Sequence, residues 1–90
     1  MDITQYIPDN DQWIDNYCSR LGTEFIMDYY HRLWLMLYEM RSGDKFDIQN
    51  RVKPANMDLF IKMACLCIRE LDSKDKGWYF SEDGSKIICV

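Results

Sequence analysis

The sequence predicts a mainly α-helical domain that ends in a C-terminal β-hairpin. Three observations carry this reading. Apolar side chains recur at helical spacing between residues 23 and 40, and again between 57 and 72. An Asp83-Gly84 pair separates two strand-like runs near the C-terminus. The length of 90 residues and an apolar content of 48% suit one domain over 1–90 with a dense core.

The first element follows Pro8-Asp9-Asn10, which is turn and N-cap chemistry, so a helix is expected over 9–21. Trp13, Ile14, Tyr17, Cys18 and Leu21 make one apolar stripe on it, and Gly22 stops it. Thr23 is the expected N-cap of a second helix, which runs to about Met40 or Arg41. Its apolar band is Phe25, Ile26, Tyr29, Tyr30, Leu33, Trp34, Leu37 and Met40. Glu24, Asp28, Arg32 and Glu39 mark its wet side, with Leu35 near the border. That pattern predicts a central core helix.

Ser42-Gly43-Asp44 is a turn. A short strand at 45–48 is expected next, with Asp47 capping a short helix from Ile48 to Lys53. Pro54 ends that helix, because the residue before a proline is pushed out of the α region. Asn56 is the expected cap of a long helix from Met57 to about Asp72. This helix is apolar on most sides and carries one narrow polar stripe, Asp58, Lys62, Cys65 and Arg69. A helix of that kind is buried or covered by a partner.

A polar connector over 72–77 leads to the hairpin. Asp83-Gly84 favours a two-residue type I′ turn, which sets Trp78 opposite Cys89 and Phe80 opposite Ile87. Trp78, Phe80, Ile87 and Cys89 then share the core face.

From Thr23 to Val90 the order is helix, short strand, short helix, turn, long helix, hairpin. This order resembles a winged helix-turn-helix domain, with 1–22 as an extension carrying an extra N-terminal helix. The resemblance implies that Met57–Asp72 is a recognition-type helix and Trp78–Val90 a wing. It also implies nucleic-acid contacts at Arg51 and Lys53 near the turn, Lys62 and Arg69 on the long helix, and Lys86 on the wing. Winged-helix domains serve as protein-interaction modules too, so fold does not fix function.

Charge divides the chain. Residues 1–40 carry a net charge of -5 and residues 41–69 a net charge of +3, within a total of -4. Such a molecule is a poor non-specific DNA binder as a whole, since that affinity comes from neutralising phosphates. The acidic half suits a second class of function, an adaptor or inhibitor that meets a basic protein partner. Asp11, Asp15 and Asp28 are its candidate contacts. Self-association through the apolar long helix is a third expectation.

Enzyme chemistry is not expected. No phosphate loop, nucleophile elbow or metal motif is present. Asp28, three residues before His31, could pair with it, but so could many surface residues, and Glu82-Asp83 sit at a hairpin tip. Cys18, Cys65, Cys67 and Cys89 include no Cys-x-x-Cys pair, which argues for free thiols over a zinc site or disulfides. No cofactor is expected. A mean hydropathy of -0.39 and the lack of a long apolar run argue against a membrane span. The N-terminus reads as no signal peptide, which suggests the cytoplasm. By size alone, a bacterial or mobile-element accessory protein is the expectation. Among the aromatic side chains that supply interaction hot spots, most lie on core stripes. Tyr6 and Tyr38, like Leu35, are left unplaced by periodicity.

Overall fold

The computed structural model describes residues 2–72 and 76–90; the middle of the expected connector lies outside them. A 3-10 turn at Thr4–Tyr6 precedes helix α1 at Gln12–Leu21 and helix α2 at Thr23–Glu39. Strand β1 (Lys45–Asp47) runs directly into helix α3 (Ile48–Arg51). A second 3-10 turn, Pro54–Asn56, opens helix α4 (Met57–Leu71). Strands β2 (Trp78–Phe80) and β3 (Lys86–Cys89) close the chain. The predicted mainly helical class with a C-terminal hairpin holds.

The hairpin is part of a larger sheet. β1 pairs antiparallel with β3, and the strand order is β1-β3-β2. The predicted register holds, with Trp78 opposite Cys89 and Phe80 opposite Ile87. The β1 pairing puts Phe46 opposite Ile87. Ile87, Cys89, Trp78 and Phe46 are buried, as alternation requires.

The turn differs from the expected type I′. Gly84 has a φ of 75°, but Asp83 keeps a negative φ. The Gly84 N–H donates to the Ser81 carbonyl at 2.9 Å, and the Ser81 N–H donates to Lys86 at 2.8 Å. The side chain of Asp83 explains the change. Its Oδ1 accepts from Ser81 Oγ (2.8 Å), Ser85 N (3.0 Å) and Ser85 Oγ (2.7 Å). Those bonds hold the carboxyl well below the usual carboxylate range. The loop is thereby a wider turn around Glu82-Asp83, with only glycine taking the left-handed conformation.

Helix ends also depart from expectation. α1 starts at Gln12 rather than Asp9, because Asn10 Oδ1 takes the Gln12 N–H at 2.9 Å. Thr23 does not cap α2; it is the first helical residue. Gly22, at φ 95°, donates to the Cys18 carbonyl and accepts from Ile26, so one residue ends α1 and starts α2. Asp47 caps α3 as predicted, accepting from Asn50 N at 3.2 Å. That helix stops at Arg51, short of Lys53. Asn56 makes no side-chain cap; the 3-10 turn leads into α4 instead.

α4 is the centre of the core. Eight of its fifteen residues are buried, among them Ile61, Met63, Ala64, Cys67 and Leu71. α2 packs on it through Ile26, Leu33 and Leu37. The sheet joins through Phe46, whose ring stacks on Phe60 at 5.4 Å. A continuous cluster from Ile3 to Cys89 results, and it buries most of the apolar side chains of α4.

The two buried tryptophans differ in one respect. Trp78 Nε1 donates to the Leu37 carbonyl at 2.9 Å, whereas Trp13 Nε1 has no partner among the described residues. An unsatisfied buried donor is itself unfavourable. Trp78→Phe should therefore cost about 1 kcal/mol more than Trp13→Phe. Urea denaturation of the two variants checks the difference.

Candidate functional site

The polar stripe of α4 is the place where the winged-helix resemblance would put base contacts. α1 and the segment before it lie over that stripe. A cleft of about 160 Å³ there is lined by Pro8, Asp11, Trp13, Lys62, Cys65 and Arg69, among others. Asp58 accepts hydrogen bonds from both the Tyr17 hydroxyl and Lys62 Nζ. Lys62 is left only 16% exposed, so its ammonium is committed inside the fold. Arg69 reaches Asp11 at 3.1 Å. Both stripe cations thus hold acids of their own chain.

The other three basic candidates lie elsewhere. Arg51 stands over the Phe46 ring at 4.7 Å. Lys86 is opposite Asp47 in the β1–β3 ladder. Hydrogen bonds from Asn50 lower the pKa of Asp47, with smaller contributions from Lys86 and Arg51. Lys53 is exposed in the link between α3 and the second 3-10 turn. Lys62 and Arg69 are each paired with an acid, and Arg51 and Lys86 both act on Asp47.

Of the acidic candidates, Asp11 is held by Arg69, and Asp28 by Arg32 at 2.8 Å. Asp15 is exposed in the first turn of α1, without an ion pair among the described residues. Because Asp28 turns to Arg32, it does not orient His31, which instead meets the edge of the Tyr30 ring at 5.5 Å. Cys18 and Cys65 are half-buried and Cys67 and Cys89 buried, all as free thiols. Among the described residues, no three His, Cys, Asp or Glu side chains gather as metal ligands do, and no helix is long and apolar enough to cross a membrane.

α2 presents the feature that the sequence reading missed. Phe25, expected in the core, is 50% exposed. Met27, Leu35 and Tyr38 are exposed to a similar degree, and Trp34 is half-buried with its ring stacked on Tyr38 at 5.0 Å. These four exposed residues are half of the large exposed hydrophobics among the described residues. On one flank, an open groove of about 230 Å³ is lined by Tyr29, Arg32, Leu33, Met36 and Phe60. The signal was present in Leu35 and Tyr38, which fit no core stripe.

Partial burial raises three tyrosines here. Desolvation pushes Tyr17, Tyr29 and Tyr30 up to about 12. Asp58 adds to the effect at Tyr17, and Glu70 at Tyr30. Their folded pKa values lie above the unfolded value of 10.0, so the native state keeps protons that the unfolded state releases. Stability should be level below pH 10.0 with respect to these groups and fall as pH climbs toward 12. Phenolate absorbance should show Tyr17, Tyr29 and Tyr30 titrating late.

No family model, curated protein or solved structure matches this chain.

Proposed function

We propose that this chain is a winged-helix-like, non-enzymatic regulatory domain that works by binding protein through the outer face of α2. The observation that carries the reading is the apolar set Met27, Leu35 and Tyr38 beside Trp34, each of the first three close to half exposed. Exposed apolar patches rimmed by polar residues mark interaction sites, and aromatic side chains are enriched at their centres. Glu24, Asp28 and Glu39 form the rim on the same helix.

The winged-helix part of the proposal draws on the element order from α2 to β3 and on the β1-β3-β2 sheet. Nucleic-acid reading by α4 is disfavoured by the burial of Lys62 against Asp58 and by the surface pairing of the exposed Arg69 with Asp11.

Capture of protein from cell extract tests the choice of surface. The wild type should retain a partner that the Met27→Asp/Leu35→Asp variant loses at least tenfold. Arg69→Ala should retain it, since Arg69 is on the other surface. Loss with Arg69→Ala and retention with the α2 variant would overturn the reading.

A further inference from the structure

We infer that the occupant of the α2 face is a second copy of this chain, docked antiparallel along the same helix. The inference rests on the reading of α2 as a protein-binding surface and names its partner. Glu24, Met27, His31, Trp34 and Tyr38 follow one another at intervals of three, four, three and four residues. That alternation is the seam spacing of paired helices. It is separate from the core stripe of Ile26, Leu33 and Leu37, which is already used against α4. α2 therefore has two seams, one filled inside the chain and one open.

The open seam is complementary to itself. When two copies run antiparallel, Met27 of one lies opposite Tyr38 of the other, and His31 lies opposite Trp34. Each pairing recurs across the two-fold axis, as an isologous interface requires. Leu35 stands beside both His31 and Tyr38, one turn from each, and widens the apolar strip. No charged side chain lies in the middle of the seam. Asp28, at its border, is neutralised within its own helix by Arg32.

The ends match in charge. At the C-terminal end of α2, Lys76 Nζ donates to the carbonyls of Tyr38 (2.6 Å) and Met40 (2.8 Å) and sits 5.3 Å from the Tyr38 ring centroid. This fixes a cation at the Tyr38 end of the seam. Glu24 is exposed at the other end. Antiparallel docking carries Glu24 of each copy to the Lys76 end of the other; parallel docking would set like charges together. The antiparallel choice also opposes the two helix dipoles favourably.

A helix of 17 residues is about 25 Å long. One such pair lies near the lower limit of specific interfaces, roughly 1,000 Å² of total buried surface. A concentration-dependent dimer is expected rather than a permanent one.

Light scattering over low micromolar to millimolar protein tests this. The mass should rise from 10.9 kDa toward twice that value. Leu35→Asp should stay at 10.9 kDa throughout while keeping the wild-type circular dichroism and melting temperature. Orientation is read separately. A mixture of Met27→Cys and Tyr38→Cys proteins should form a mixed disulfide under mild oxidation, while each variant alone cross-links far less. A constant 10.9 kDa mass, a dimer indifferent to Leu35→Asp, or preferential Met27→Cys self-linking would each overturn the inference. A constant mass together with α2-dependent capture of another protein would remove the second copy and leave the surface. Loss of both would remove the surface as well.

Discussion

Ile61→Ala should destabilise the protein by about 3–4 kcal/mol, the largest effect expected of a single truncation here. Ile61 is fully buried in α4, where Phe60, Met63, Ala64 and Cys67 are also buried. Truncation removes the transfer free energy of the lost carbons and leaves a cavity in a helix packed from several sides. A DNA-reading helix that kept one face open would have room to relax. Ile61 has little, because it is fully buried where α2 packs on α4. The comparison variant is Leu35→Ala on α2. Leu35 is 50% exposed, so its loss should stay within about 0.5 kcal/mol. Chemical denaturation of the two variants measures how far the roles of the two helices differ.

Asp58→Ala should cost about 2 kcal/mol, despite lying on a stripe that reads as surface. The substitution removes the acceptor of two hydrogen bonds and leaves the Lys62 ammonium unpaired at 16% exposure. Bonds to charged groups contribute about 1.5–3 kcal/mol each. The Asp58 carboxylate is 42% exposed, so solvent screening reduces that sum. The pH dependence has a definite sign. Burial pushes the Asp58 carboxyl up, but the hydrogen bonds from Lys62 and Tyr17 and the charges of Lys62 and Arg20 outweigh it, and the net shift is downward from 3.8. A carboxyl lowered on folding stabilises the native state above its unfolded pKa and loses that contribution as pH falls through the folded one. The gap between wild type and Asp58→Ala should be full at neutral pH and close below about pH 3.8. Removing Tyr17→Phe and Asp58→Ala together should cost less than the sum of the two, because they share a bond.

Much of the fold was legible because local chemistry fixed it. Asp47 is both a strand end and a cap, and its side-chain bond to Asn50 is the one its position predicts. The register of β2 and β3 followed from hydrophobic alternation and survived the error in turn type, since Ile87 and Cys89 must face inward. The turn itself was misread because three hydrogen bonds to Asp83 outweigh the preference of an Asp-Gly pair. The pairing of β1 with β3 joins segments about forty residues apart, and no local pattern encodes it.

The candidate site was less legible for a related reason. Periodicity marks which side of a helix is apolar, but not which neighbour covers it. The stripe of Asp58, Lys62 and Arg69 is polar and still faces α1, since Tyr17 and Asp11 supply its partners. Phe25 belongs to an apolar band and still faces solvent, since the described chain supplies nothing to cover it. Both reversals are tertiary: one occupies the polar stripe of α4, the other leaves apolar side chains of α2 in solvent.

On the proposed reading, the polar stripe of α4 is spent on contacts within the chain and α2 is the binding surface. Amide chemical-shift mapping during titration with a short DNA duplex tests it most directly, at a salt concentration low enough to favour phosphate contacts. The amides of Lys62, Cys65 and Arg69 should stay where they are. Shifts centred on those residues, reversed by added salt, would contradict it.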